Sequence, residues 1–234
     1  MANILAIDTS SAWCSVALSL NDQAVELRHE AVSAGASQLL LPWIDSLLSG
    51  ANIHLKELDV LAVGIGPGAF TGVRLGIAAV QGLAISNNLS VIPVSSLDAI
   101  ASQLVKTPAF KKSKSKHFVI AIDARMEEVY WAKYETQSNN LPKRIADIHL
   151  TRPEELVLDD IGYLAGSAIH PYRERLPNFD GELDAEITIS AAGVLYCSRQ
   201  LLAEGKQMDV RRLEPLYVRN KVALTTAERI EAYK

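Results

Sequence analysis

The stretch ILAIDTSSAWCSVAL (residues 4–18) is answered much later in the chain by VIAIDARMEEVYWAKY (residues 119–134). Each begins with an apolar run rich in strand-forming residues and reaches an aspartate, Asp8 in one and Asp123 in the other. A short polar turn follows, then a second strand-like run. In the first copy Val16 and Leu18 alternate with Ser15 and Ala17, the period of a pleated strand. The two aspartates are separated by about the length of one compact α/β unit, so the repeat predicts two similar lobes. Lobes that face each other set Asp8 and Asp123 on opposite walls of a cleft.

Working outward from the first copy, residues 25–28 offer a third strand. Residues 37–49 carry Leu40, Ile44, Leu47 and Leu48 at helical spacing, with Gly50 as terminator and Pro42 marking a first turn or a kink. A strand-like run over residues 58–65 leads into GIGPGAFTGVRLG (residues 64–76). Thr71 then opens a helix to about Ser86, residues 91–94 form a strand, and Ser95 or Ser96 caps another helix. Strands followed by alternating helix and strand mean an α/β layer structure with a mixed sheet. After the second copy come a strand over residues 145–150, a helix over residues 190–202 and a short strand or tail over residues 214–219. Residues 156–184 read only as loop-rich surface, so the second lobe is expected to be reduced.

The boundary falls in TPAFKKSKSK (residues 107–116), where four lysines in six residues repel one another. The expected division is a first lobe over 1–106, a basic linker or loop over 107–116 and a second lobe over 117–234. A basic patch for RNA competes with this reading. It is disfavoured because no aromatic residues are interleaved with the lysines.

At 234 residues and a net charge of −4 the chain is long enough for a substantial core and has no overall charge that draws nucleic acid, so any service to RNA is expected through a partner. The start meets an aspartate at once and reads as a strand, not a signal peptide. Apolar runs are broken too early to span a bilayer, which points to a cytoplasmic protein with no membrane partner. Cys14 and Cys197 lie far apart and read as small buried hydrophobes.

The glycine segment is no P-loop, since no Lys-Ser or Lys-Thr pair follows its last glycine, and the first strand has no dinucleotide fingerprint. Three roles stay open for it: a nest of amides for an anion, close internal packing, or a slim helix face for a partner. Asp8 and Asp123 suit the phosphate-and-metal turns of a two-lobed ATPase, but capping of their own turns is the simpler role. His29, His54, His117, His149 and His170 form no local zinc pair, and no G-x-S-x-G elbow occurs. An ATP-binding enzyme is the alternative function, with a peptidase behind it.

Taken together, ILAIDTS, CSVAL, LLLPWIDSLL, LAVGIGPGAFTGVRLGIAAVQGLA, IPVSSLDAIA, AIDARMEEVYWAKY and EPLYVR resemble the bacterial tRNA threonylcarbamoyladenosine biosynthesis family TsaB, also called YeaZ. The resemblance implies two ribonuclease-H-like lobes of the actin, sugar kinase and Hsp70-like ATPase superfamily. It also implies a noncatalytic subunit that pairs with the related transferase TsaD, which modifies N6 of adenosine 37 in tRNAs reading codons that begin with adenine. TsaD-like chains carry a metal-binding H-x-x-x-H pair, whereas His29 here has no second histidine four residues on.

The resemblance therefore assigns this chain no catalytic residue, no metal and no required cofactor, and leaves ATP and the metal ion to the partners. Asp8, Ser10 and Asp123 remain as vestigial phosphate-site candidates. The implied interface with TsaD comprises Leu39, Leu40, Trp43 and Leu47 on one helix and Phe70, Thr71, Val73, Arg74, Gly76, Ile77 and Val80 on the next. TsaE joins through the TsaD complex, tRNA is met mainly through the assembly, and a homodimer is an option for the free subunit.

Overall fold

The computed structural model describes residues 2–21, 23–32, 35–138 and 141–219. Strands β1 (Ile4–Asp8) and β2 (Trp13–Ser19) form the first hairpin, and β3 (Glu26–Ala31) pairs antiparallel with β2. Helix α1 (Ala36–Gly50) leads to β4 (Val60–Gly64), helix α2 (Phe70–Asn87) leads to β5 (Ser90–Val94), and both strands run parallel to β1. The resulting order is β3-β2-β1-β4-β5. Helix α2 starts at Phe70 after Ala69, so Thr71 lies in its first turn and does not cap it. Ser95 does cap the next helix, α3 (Ser96–Leu104), by accepting the Asp98 amide at 3.1 Å.

The segment expected as a linker or loop contains helix α4 (Pro108–Ser113). Thr107 caps it, Pro108 suits its first turn, and Phe110 is buried edge-on against Phe118 with ring centroids 4.9 Å apart. One apolar side chain is enough to pin this otherwise basic stretch.

The second sheet is built on β6 (His117–Arg125) and β7 (Glu128–Thr136). The short strands β8 (Pro142–Arg144) and β9 (His149–Thr151) both pair with β7, and of the strand expected over 145–150 only residues 149 and 150 fall in β9. Beyond them come β10 (Tyr163–Ala165), the four-residue helix α5 (Ile169–Tyr172) and β11 (Glu182–Asp184). The order β11-β10-β6-β7-β8, with β10 and β11 parallel to the central strand side, repeats that of the first sheet. Both sheets are therefore ribonuclease-H-like. The reduction of the second lobe is one of length: β8 to β11 are three residues each.

Strand alternation separates the layers. Leu5, Ile7, Val16 and Leu18 face outward under α1 and α2, while Ile4, Ala6 and Ala17 face the other sheet. Phe118 and Ile120 face inward, and Val119 and Ala121 face a smaller outer core with Trp131 and Leu164. Between the sheets lie α3 and α6 (Ala191–Ala203).

Although α6 comes from the far end of the chain, it is bound to the first sheet. Its Ala191 amide donates to Ser15 Oγ at 2.9 Å, and Arg199 donates to Ser19 Oγ at 2.6 Å. A side chain at Gly193 would overlap the carbonyl of Ala99 on α3, which accounts for the glycine. Residues 107–116 thus divide the two sheets but not the packing. Both cysteines are free thiols, pushed up by burial to about 11 for Cys14 and about 12 for Cys197. Among the described residues no helix is long and apolar enough to cross a membrane.

Candidate functional site

Each aspartate of the repeat sits at the end of the first strand of its hairpin. Asp8 Oδ1 accepts the Ser10 amide at 3.0 Å, and Ser10 Oγ lies 3.0 Å from Asp8 Oδ2 and 3.1 Å from Ser96 Oγ. All three residues are buried, Asp8 completely. Loss of solvent pushes the Asp8 carboxyl up to about 7, against the opposing effect of the Ser10 hydrogen bonds. Asp123 Oδ1 accepts the Arg125 amide at 2.8 Å and the Tyr172 hydroxyl at 3.0 Å, and Arg125 Nη1 stands 3.2 Å from Oδ2. Both carboxylates cap their own turns.

The glycine segment lies directly against the first turn. A side chain at Gly64 would overlap Asp8 Oδ2, one at Gly68 the Ser10 carbonyl, and one at Gly72 the Thr9 carbonyl. At Gly76 the added carbon would stand 2.9 Å from Thr9 Oγ1. Thr9 Oγ1 donates to the Gly72 carbonyl at 2.7 Å, and the Ala69 amide donates to the Ser10 carbonyl at 2.7 Å. Close internal packing is therefore the role these glycines fill.

A nucleotide fits this turn poorly. Asp8 is sealed, and the amides of Ile65 and Ala69 are spent on the Val94 and Ser10 carbonyls. Asp8 and Ser10 are thus not open to a ligand and do not form a cleft wall. The turn at Gly166 in the second lobe is also occupied: Gly166 has φ +120° and its side-chain position is filled by the Ala121 carbonyl, while Ser167 Oγ receives the Asp123 amide at 3.2 Å.

Each helix expected at a partner interface buries one face and leaves the other open, which splits the expected residues. Leu40, Leu47, Val73, Gly76, Ile77 and Val80, expected at the interface with TsaD, are buried against this chain's own sheet or first turn. Leu39, Trp43 and Arg74 are half-buried, and Phe70 and Thr71 are exposed. The outward face of α2 instead runs through Thr71, Leu75, Ala78, Gly82 and Ile85, spaced alternately by four and three residues. Nothing lies within 4 Å of the side-chain position at Gly82, and Ile85 is 63% exposed. Leu41 on α1 is 53% exposed beside a cavity of about 360 Å³ that Asp45, His54 and Leu83 also line. Helical spacing counted from Thr71 instead of Gly76 is the sequence signal that finds this face.

A second feature comes from the tail. Residues 213–219 form no strand; they run as a strap from α2 to the β6–β7 turn. Gln81 donates to the Leu213 carbonyl at 3.2 Å, the Leu216 amide to Ile65 at 2.9 Å, and Arg74 to the Tyr217 hydroxyl. Arg219 then donates to the Ala124 carbonyl at 3.1 Å and pairs with Glu128 at 2.7 Å. A cavity of about 240 Å³ remains between the strap, Gly68 to Arg74 and the turn at Arg125.

His29 stacks on Trp13 with ring centroids 4.4 Å apart, and burial lowers its pKa, which favours a neutral ring. Among the described residues no three or more His, Cys, Asp or Glu side chains stand together as a metal site.

A family profile described as "TsaD: tRNA N6-adenosine threonylcarbamoyltransferase" matches residues 30–223. The tRNA threonylcarbamoyladenosine biosynthesis protein TsaB of Escherichia coli K12 is 36% identical over 94% of this chain and 96% of its own length. That of Haemophilus influenzae is 31% identical over 94% of each. Among solved structures, YeaZ from Pseudomonas aeruginosa superposes with a TM-score of 0.83 at 34% identity, covering 93% of this chain and all of the other. A Pseudomonas aeruginosa protein described as similar to peptidase YeaZ gives 0.84 at 33% identity over 94% of this chain and 100% of that one. With paired ribonuclease-H-like sheets, capped aspartate turns and full-length similarity to these proteins, the chain belongs to the TsaB (YeaZ) family of tRNA threonylcarbamoyladenosine biosynthesis proteins, within the wider group that the TsaD profile describes.

Proposed function

We infer that this chain is a noncatalytic accessory subunit that supports TsaD in forming N6-threonylcarbamoyladenosine at position 37 of tRNAs reading codons that begin with adenine. It acts in the cytoplasm, with TsaE joining through TsaD and with tRNA met mainly on the assembly. The chain itself requires neither nucleotide nor metal. The sealed Asp8 turn disfavours an ATP-using enzyme, because the carboxylate that would face phosphate and magnesium accepts from Ser10 instead.

The observation that carries the reading is the outward face of α2, where Ala78 and Gly82 let another helix approach closely and Leu75 and Ile85 supply apolar area. Leu41, Phe70, Thr71 and Arg74 extend that face, and Leu39 and Trp43 border it. Burial of such a patch gains roughly 25 cal/mol per Å² before ordering costs. A homodimer of the free subunit through the same face competes with the heterodimer.

Calorimetric titration of TsaD into wild type, Ala78→Arg and Ile85→Asp tests this. Both positions are outside the core, so both variants are expected to melt with wild type and to bind at least roughly ten-fold more weakly, a difference of about 1.4 kcal/mol. Unchanged affinity in the two folded variants would move the interface elsewhere.

A further inference from the structure

We propose that the α4 corner, with Lys106, Lys111, Lys112, Lys114 and Lys116, is a contact surface for the phosphate backbone of RNA. This deepens the accessory reading above and rests on it for the identity of the RNA, a tRNA held by the assembly. As a loose loop the lysine run had little claim to such a role, since a flexible chain must be ordered on binding. The fold removes that objection.

The corner is pinned from several sides. Thr107 Oγ1 accepts the Phe110 amide at 3.2 Å and donates to the Leu104 carbonyl at 2.9 Å. Phe110 is 3% exposed and packs on Phe118 and Tyr163. Ser113 Oγ donates to the Phe110 carbonyl at 2.7 Å and accepts the Ser115 amide at 3.2 Å. All five lysines are nevertheless exposed. Their geometry is set on folding, before any ligand arrives.

A basic helix end has an ordinary explanation, the attraction of cations to the C-terminal dipole, and it covers Lys111 and Lys112. The same attraction reaches Lys106, just past the C-terminus of α3, and Lys114, the C-cap of α4, but not Lys116, which lies beyond it at the start of β6. Neutralisation by neighbours does not explain the cluster either. Among the described residues Lys116 alone of the five has a carboxylate within 4.0 Å, Glu135 at 3.2 Å, and it stays 71% exposed there. Mutual repulsion is thus retained on a chain whose net charge is −4.

The only aromatic within the lysine segment, Phe110, is buried, but the fold brings a second one from α6: Lys106 Nζ lies 4.5 Å from the centre of the half-buried Tyr196 ring. Several exposed cations beside a half-buried ring suit a polyanion with exposed bases better than a single small anion.

Its place in the fold keeps the corner apart from the Asp123 turn. From Lys116 the strand β6 runs to Asp123, roughly 24 Å at about 3.4 Å per residue. The corner is therefore at the end of the second sheet remote from the Asp123 turn and the strap.

The test is tRNA binding by the wild-type complex with TsaD and by the same complex carrying K111E/K112E/K114E, followed by fluorescence anisotropy across a salt series. The expected result is a loss of roughly ten-fold or more in affinity at low salt and a slope of log K against log salt that is shallower by about 2. Lys→Gln at the same three positions is expected to give a smaller loss of the same sign. Unchanged affinity and slope, in variants that melt like wild type, overturn the proposal. So does a loss confined to binding of phosphatidylserine vesicles, which would assign the corner to anionic lipid. Failure of the wild-type chain to associate with TsaD would sink the accessory reading separately. The isolated chain and the same variants then decide the lysine surface, a salt-dependent loss of tRNA binding supporting it and no loss overturning it.

Discussion

Asp8 and Asp123 make the same bond in different surroundings. Oδ1 of each accepts the amide two residues further on, from Ser10 at 3.0 Å and from Arg125 at 2.8 Å. Asp8 is fully buried against Gly64, whereas the Asp123 side chain keeps 16% exposure and an arginine partner. A duplicated local motif has thus been given one dry and one wet setting.

The dry setting makes stability depend on pH. Unfolded, the Asp8 carboxyl titrates near 3.8; folded, near 7, so the folded state holds its proton more tightly. The stabilising contribution is complete below the lower value and is lost as pH rises through the higher one. Asp8→Asn keeps the shape and an acceptor for Ser10 without the titration. Denaturant melts at pH 5 and pH 8 should show wild type losing stability relative to the variant, on the order of a few kcal/mol. Parallel behaviour of the two proteins would contradict the burial of this charge.

The glycines of α2 divide into two groups with opposite expected behaviour. Gly72→Ala drives a methyl into the Thr9 carbonyl and should cost about 2 kcal/mol or more. Gly82→Ala meets nothing within 4 Å and should stabilise the isolated chain by up to about 1 kcal/mol through helix propensity. Thermal melts of the two variants settle the matter, and equal shifts would mean that the helix face is misassigned.

The strap predicts a local effect. In Arg219→Ala the Glu128 carboxylate loses its partner and the Ala124 carbonyl loses a donor. A cost of about 2–3 kcal/mol is expected. Hydrogen exchange should quicken at residues 124–128 and leave β1 and β4 protected; uniform protection would show that the strap holds nothing.

Much of this architecture is legible in the sequence where pattern and structure share a length scale. The hairpins of Asp8 and Asp123 have five to nine residues per strand and read clearly, and α1, α3 and α6 carry helical spacing. β10 and β11 are too short to show a period, and they exist because parallel pairing with β6 supplies their partners. β3 is expected over 25–28 and found over Glu26–Ala31; its later residues carry no apolar alternation because the strand lies at the sheet edge with almost every residue in water. The site divides in the same way. Turn capping by Asp8 and Asp123 follows from local chemistry, while the cover over Gly68 and Gly72 is set by a turn some sixty residues earlier, which no local pattern contains. The lysines read as unstructured because one buried ring, Phe110, outweighs the composition around it.

The position of α6 also has a bearing on synthesis. The inner side of the first sheet, Ile4, Ala6, Ala17 and Ala62, is closed partly by a helix that is translated only after most of the chain has been made. During translation those apolar residues must wait, open to water or to a chaperone, until the helix has left the ribosome. The first half of this protein is thus an incomplete folding unit on its own, and a nascent chain stopped before Ala191 should be captured by hydrophobic-binding chaperones and readily digested.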